Sequence, residues 1–322
     1  MPAKCATPEG TARYRERFPD RHFNVQHGLV LSSIGIGTYL GNADAATDAD
    51  YTRAIVRAVQ LGVNVIDTAA NYRFQRSERS IGAALKLLAN EHGIAREELV
   101  ICTKGGYLPF DGAPPRSMAQ YLNETFVKPG IASFDDFVAG SHCMTPSYLQ
   151  SQLDQSLSNM GIECVDVYYI HNPESQLGHV SEPEFYERLK QAFARLEENR
   201  RQGKLTHYGV ATWNGFRAAP NSGHHHSLTR MVELAREVAG EQHGFHFIQL
   251  PFNVRMPEGT AVIEEAQRLG VSVVTSASLL QGRIPPQMAI EFVRSTPGIT
   301  TALIGMSRVE HVEENLATGL HG

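Results

Sequence analysis

Eight times along the chain, a short β-branched run gives way to a stretch with helical spacing, and this alternation constrains the fold more than any other feature. The runs are Ser33–Gly37, Val63–Ile66, Leu99–Cys102, Val165–Ile170, His207–Val210, Phe245–Leu250, Val271–Thr275 and Thr300–Ile304. The spacing predicts helices over Asp50–Leu61, from a Ser77 N-cap to Leu88, and over Pro146–Met160, Glu184–Arg201, Leu228–Val238, Thr260–Leu269, Pro286–Val293 and Val309–Leu316. Gly62, Gly161 and Gly203 follow three of them as C-terminal stops, and Glu78 lies in the first turn of the second. Strands alternating with helices pair in parallel through crossovers. Eight such units, at the scale of a closed barrel of roughly 250 residues, predict one α/β domain over 1–322: an eight-stranded parallel β/α (TIM) barrel. No Gly-x-Gly-x-x-Gly follows the first run, which weighs against an open dinucleotide-binding sheet. His22–Val25 and Leu29–Leu31 flank Gln26-His27-Gly28 and predict an N-terminal hairpin.

One stretch breaks the rhythm. Between Gly105 and Thr145 lies an insertion punctuated by Pro109, Pro114, Pro115 and Pro129. A loop this long is usually a lid, a binding element or disordered. Apolar residues in Met118–Phe126 and Phe134–Val138 predict order with some helix, and Tyr107, Phe110 and Tyr121 are aromatic enough to line a substrate pocket. A solvated excursion or an oligomer contact is the alternative.

Composition removes other classes. A net charge of −5 leaves no basic stripe to neutralise phosphates, so nucleic acid is not the expected partner. No run of about 20 apolar residues is present to span a bilayer. Met1–Gly10 lacks a basic start followed by an apolar stretch, so no secretory signal is read. Cys5, Cys102, Cys143 and Cys164 are scattered without CxxC spacing and read as free thiols, hence a cytoplasmic address. Cys102 alternates with residues facing the opposite way and reads as structural. His224-His225-His226, after Pro220-Asn221-Ser222-Gly223, reads as a flexible surface loop, since adjacent histidines cannot all face one ion. Glu197–Arg201 reads as a solvated helix face.

Barrel chemistry sits at the C-terminal strand ends. There the second run leads into Asp67 and, just beyond, Tyr72; the third leads into Lys104, and the fourth into His171. Taken singly, Asp67 is a turn cap, Lys104 a solvated lysine and His171 a satisfied core histidine. Their convergence on one rim points instead to carbonyl reduction, which needs a proton for the oxygen. A phenol is a poor acid at about 10. A nearby ammonium favours its ionisation, and a carboxylate keeps that ammonium charged and in place. A histidine orients the substrate oxygen.

Asn64-Val65-Ile66-Asp67-Thr68-Ala69 with Tyr72, Ser77-Glu78 and Ile81-Gly82-Ala83-Ala84-Leu85, then Ile101-Cys102-Thr103-Lys104 and Tyr168-Tyr169-Ile170-His171-Asn172-Pro173, resemble the aldo-keto reductase family over nearly the whole chain. The resemblance implies Tyr72 as proton donor in reduction, tuned by Lys104 and Asp67, with His171 orienting the substrate. It implies a nicotinamide cofactor near Thr212 and Gln249. Ser278, Leu279 and Gly282, in Ala277–Gly282, match the loop around the pyrophosphate. Gly305, Ser307, Arg308, Glu314 and Asn315 match the adenosine-phosphate and adenine site. Arg308 can grip a 2′-phosphate bidentately, which favours NADP over NAD. Tyr39, Tyr107 and Phe110 are the expected substrate contacts.

The chain departs from the family pattern in places. Ala211-Thr212 stands where Ser-Asn is usual, the residue expected to stack on the nicotinamide falls near Ser276 or Ala277, and His311 replaces the common arginine or glutamine. Two other classes stay open. A cofactor-binding regulatory or scaffold protein, like the potassium-channel beta subunits, would keep the tetrad with little turnover. A metal-dependent hydrolase or isomerase would need more ligands than the remaining strand ends Ala211, Gln249 and Ser276 offer. The substrate, a small carbonyl compound or alcohol, is not specified by fold, and nothing in the chain sets its oligomeric state.

Overall fold

A computed structural model describes residues 3–219 and 222–318; Pro220 and Asn221, ahead of the histidine triplet, and the extreme termini lie outside it. Eight parallel strands close into a barrel: β3 (Ile34–Gly37), β4 (Val65–Asp67), β5 (Val100–Gly105), β6 (Val165–His171), β7 (Leu205–Ala211), β8 (Phe245–Pro251), β9 (Ser272–Ser276) and β10 (Ile299–Gly305), with β10 pairing back to β3. Crossover helices surround it: α2 (Ala45–Gln60), α3 (Arg76–Glu91), α5 (Pro146–Met160), α6 (Glu182–Arg201), α7 (Leu228–Ala239), α8 (Thr260–Leu269), α9 (Pro286–Ser295) and α10 (Val309–Thr318). Alternate strand residues point two ways. Ile66, Ile101, Tyr168, Ile170, Val210, Ile248 and Ile304 join the layer under the helices. Val65, Val100, Cys102, Val167, Tyr169, Phe247 and Val274 fill the barrel. Cys102 therefore shares the interior face with Lys104, two residues on, rather than opposing it; its burial is structural all the same.

The hairpin β1 (Phe23–Gln26) and β2 (Leu29–Ser32) plugs the N-terminal mouth, where Leu29 and Leu31 complete the interior cluster. His27 and Gly28, with φ of 50° and 82°, form the tight turn between them. The buried Asn64 side chain holds the plug, accepting from Ser32 N and donating to Val30 O at 2.8 Å each.

Several expectations need correction. A helix not anticipated from sequence, α1 (Pro8–Glu16), precedes the hairpin; Thr7 caps it, and the buried Tyr14 hydroxyl reaches the carbonyls of Val59 and Val63. Ser77 is not an N-cap. Arg73, Phe74 and Gln75 all take positive φ and turn the chain so that α3 begins at Arg76, while the Ser77 hydroxyl donates to Thr38 O at 2.8 Å. Cys5 and Cys164 are not free thiols. They form a disulfide across 159 residues, because the N-terminal segment docks beneath the barrel, where Asp166 accepts from Ala6 N at 2.6 Å. Local cysteine spacing carries no signal of so distant a pair, and the free-thiol argument for a cytoplasmic address falls with it. No described helix is long and apolar enough to cross a membrane.

The insertion is ordered. Its two ends pair with each other, Leu108 N to Ser141 O and Cys143 N to Gly106 O, and between them run α4 (Met118–Leu122), a π-helical turn at Asn123–Val127 and a 3-10 turn at Phe134–Asp136. Leu108, Leu122, Phe126, Phe137, Cys143 and Tyr148 give it a small core of its own.

Four histidines collect at the barrel's N-terminal end. His27 stacks on His246 with centroids 4.2 Å apart, and His207 Nδ1 lies 2.9 Å from His246 Nδ1; His243 adjoins. Arg200 and Arg236 add positive charge nearby, against Glu197 and Glu241. Burial, then the neighbouring imidazoles, pushes His207 and His246 down to about 3, and burial also lowers His27 and His243. Between the ordinary histidine value near 6.5 and these depressed values, the unfolded chain binds more protons than the folded one. Stability is therefore complete above about pH 6.5 and falls on acidification, by roughly 1.4 kcal/mol per pH unit for the well-buried His207. The melting temperature is expected to drop steadily from about pH 7 to about pH 4, and His207→Phe should flatten that slope. Equal acid sensitivity in the variant and the parent protein, measured by calorimetry, would assign the loss to other groups.

Candidate active site

The C-terminal ends of β4, β5 and β6 carry three of the four singled-out groups, and a turn brings the fourth over them. Register sets Asp67 beside Cys102 and Lys104 beside Tyr169, so the two-residue alternation points Asp67, Lys104 and His171 into the mouth. After β4 the backbone zips along the end of β5, Thr68 N to Cys102 O and Ala70 N to Lys104 O, and Tyr72 N closes a turn on Ala69 O. Lys104 Nζ thereby lies 5.0 Å from the centroid of the half-buried Tyr72 ring.

Lys104 is buried and bonded twice, to Asp67 Oδ1 and, at 2.7 Å, to the carbonyl of Thr68. The second carboxylate oxygen of Asp67 accepts from Gln249 Nε2 at 2.9 Å. Burial favours loss of the Lys104 proton, but Asp67 and Tyr72 outweigh it and hold the ammonium above its ordinary value. Burial raises Asp67 against the pull of Lys104. It likewise raises the Tyr72 phenol, with Lys104 opposing, so the ammonium here offsets desolvation rather than bringing the phenol below its usual range. Burial first, then the Lys104 charge, holds His171 well below the usual imidazole value; it is neutral near pH 7, and its Nδ1 is buried without a hydrogen-bond partner. The His171 ring stands edge-on to Tyr72 at 5.7 Å. A fixed cation thus sits under a protonated phenol with a neutral imidazole beside it, a set that can donate to and stabilise a developing oxyanion.

Two of the three expected substrate residues reach this mouth. Tyr39, 61% exposed, meets Tyr72 edge-on at 5.1 Å. Tyr107 meets His171 at 5.2 Å while its hydroxyl is 2.9 Å from Ser175 Oγ. Phe110 turns away and packs on Tyr121 at 5.2 Å, beside the insertion's own core.

The remaining strand ends form the other half of the mouth. Thr212 follows β7 and Ser278 follows β9; both hydroxyls are buried without a partner. Asn253 Nδ2 holds Ala277 O at 2.9 Å, and Ala277, Leu280, Gln281 and Gly282 take positive φ. Among the described residues, the N–H groups of Ser278, Leu279, Gln281 and Gly282 make no hydrogen bond, so this turn can receive an anion. Gly305 ends β10. Ser307 and Arg308 sit at the start of α10, with Arg308 Nη2 2.8 Å from His311 Nε2 on the exposed surface. Glu314 is exposed and Asn315 buried farther along the helix.

Sequence reasoning missed two features. Glu174, just after β6, accepts from the backbone N–H groups of Trp213, Asn214 and Gly215 at 2.6, 2.9 and 3.4 Å, fixing the loop that follows Thr212. Burial alone would raise its carboxyl; His226 and the backbone donors hold it below the usual range. His226, read from sequence as part of a surface loop, is buried against Phe185 at 5.0 Å and lies 3.6 Å from Glu174. The triplet's polar flank hid it, because only the fold reveals that its third member turns inward. No group of three or more His, Cys, Asp or Glu among the described residues is arranged to hold a metal ion.

Similarity to known proteins runs over the same span. The chain is 25% identical to an L-glyceraldehyde 3-phosphate reductase of Escherichia coli (strain K12), covering 92% of this chain and 88% of that one. It is 23% identical to a putative voltage-gated potassium channel subunit beta of Schizosaccharomyces pombe, covering 95% and 90%. An aldo/keto reductase from Klebsiella pneumoniae, solved in complex with NADP and acetate, shares the fold with a TM-score of 0.60 at 17% identity, covering 92% of this chain and 88% of that one. The model of the aldo/keto reductase family matches residues 33–284, which include the ends of β4, β5 and β6 described above, and the chain belongs to that family.

Proposed function

We propose that the chain is an NADP(H)-dependent oxidoreductase interconverting a small aldehyde or ketone and its alcohol. The observation that carries this reading is the buried Lys104–Asp67 pair placed under Tyr72, with the neutral His171 ring on the other side. Tyr72 is the proton donor in reduction. Lys104 favours the phenolate left behind, Asp67 keeps Lys104 charged, and His171 orients the substrate oxygen. Tyr39 and Tyr107 flank the substrate. The other half of the mouth fits a dinucleotide: the unpartnered Thr212 and Ser278 hydroxyls and the free N–H groups of Ser278, Leu279, Gln281 and Gly282 suit acceptors and donors of that kind. Thr212 and Gln249 would hold the carboxamide. Ser278, Leu279 and Gly282 would hold the pyrophosphate, and Gly305, Ser307, Arg308, Glu314 and Asn315 the adenosine phosphate. When bound, the nicotinamide supplies or accepts the hydride. The NADP in the Klebsiella structure supports this choice. The S. pombe relative supports a second reading, a cofactor-binding regulatory subunit with little turnover, which a panel of sugars, aldehydes and ketones followed by cofactor absorbance separates from the first.

Tyr72→Phe should lower turnover by about 10²–10⁴-fold while NADPH affinity stays near that of the parent protein. Near-normal turnover would remove the proton-donor assignment. Arg308, offered for the 2′-phosphate, makes a charge-assisted contact worth about 1.5–3 kcal/mol. Arg308→Ala should weaken NADPH far more than NADH, with the difference shrinking at high salt; equal losses would place Arg308 elsewhere on the adenosine. The insertion, beginning directly after Lys104, is read as a lid. Its amides should gain protection from hydrogen exchange when NADPH and substrate bind, and unchanged exchange would sink the lid.

A further inference from the structure

At the barrel mouth β5 leaves the sheet before β6 has finished. Register pairs Gly105 with Ile170. The next β5 N–H due at β6 is that of Tyr107, but Gly106, with a φ of 139°, swings the chain out of the ladder before it, while its own N–H donates to Gln152 Oε1 at 2.6 Å. The carbonyl of His171 is left with no β5 donor. A side chain from the far end of the insertion fills the vacancy: His142, fully buried, brings Nε2 to 2.8 Å from His171 O.

The surrounding bonds fix which nitrogen carries the hydrogen. Arg188 Nη1, which can only donate, lies 2.8 Å from Gln176 Oε1. That orients the Gln176 amide, whose Nε2 then donates to His142 Nδ1 at 2.9 Å and to His142 O at 3.3 Å. With Nδ1 accepting, the hydrogen is on Nε2, aimed at the His171 carbonyl. Burial pushes His142 down to about 4, so the single neutral tautomer persists at ordinary pH. Tyr107 stands edge-on to both imidazoles, 5.2 Å from each. A Cβ on Gly106 would come within 2.8 Å of His142 Nε2 and 3.1 Å of His171 O, so the approach leaves no slack.

We propose that His142 is a positioning residue for His171, its Nε2–H bond locking the end of β6 and with it the imidazole that faces Tyr72. The proposal rests on the reading of His171 as the group that orients the substrate. Its step is a hydrogen bond held throughout; no proton leaves His142.

The test compares His142→Asn, His142→Leu and His142→Gln in the full-length protein. Glutamine can place an amide N–H where Nε2 lies; asparagine is too short, and leucine has no donor. In both Asn and Leu variants, kcat on any carbonyl compound the parent protein reduces should fall by about 10–100-fold, the order expected for a misplaced catalytic group. KM should change little, NADPH affinity should hold, and His142→Gln should restore most of kcat. The ring ¹⁵N and ¹H signals of His171 should shift or broaden in the Asn variant and return in the Gln variant. Parent-like kcat in a folded Asn or Leu variant overturns the proposal. So does a loss shared by all three in proportion to their melting temperatures, which is what a purely structural role predicts. Should the Leu variant fail to fold, the Asn–Gln pair decides. If the parent protein turns over nothing, the proposed function fails on its own, and the His171 signals still decide the positioning: unchanged signals in the Asn variant overturn it.

Discussion

The Asp67–Lys104 pair is the constraint on which the rest of the mouth depends. Both groups are buried, and a carboxylate and an ammonium withdrawn from water each lose several kcal/mol of solvation unless paired and fully hydrogen-bonded. The barrel meets that demand with its own geometry: adjacent strands β4 and β5 bring the two together, the Thr68 carbonyl takes a second ammonium hydrogen, and Gln249 from β8 covers the remaining carboxylate oxygen. One ion pair thereby ties three strand ends at the rim, and a one-residue slip of any of them would turn its member outward.

The same charge acts, after burial, on the protonation of its neighbours. Lys104 helps keep His171 neutral and opposes the desolvation that raises the Tyr72 phenol. A doubly protonated His171 beside the ammonium would repel it; a phenolate at rest would have no proton to give. The arrangement therefore holds one positive charge and two neutral hydrogen-bonding groups together, with the charge already in place before any reaction begins.

Much of this was legible from the sequence, because strand alternation and the one-sided location of barrel chemistry are local and topological rules. They placed Asp67, Lys104 and His171 on one rim, and the bounds of α5 came out correctly because Pro146 and Gly161 mark its ends chemically. What escaped depends on contacts distant in sequence or on unusual backbone. The three positive-φ residues before α3 displaced the expected Ser77 cap. Cys5 meets Cys164 only once the N-terminal segment folds under the barrel. The polar helix α1 shows a weak apolar face, its stability resting on Tyr14 and on Arg13 and Arg17 bonded to Glu98. His142 and His226 carry no local pattern at all; each gains its meaning from the carbonyl or carboxylate it reaches.

The two ends of the barrel bury polar groups by opposite means. At the C-terminal mouth, opposite charges are paired, so each supports the other's ionised state. At the N-terminal mouth, four histidines are packed as neutral rings, where each protonation would raise the cost of the next. The first solution holds because separating the pair costs more than keeping it. The second holds only while the imidazoles stay unprotonated. Acid therefore charges the rings packed around the hairpin plug, which carries His27, and sets them against one another. The paired charges and the acid-sensitive packing stand at opposite ends of one set of strands, so the groups that make the packing depend on pH are not those that hold the Asp67–Lys104 pair.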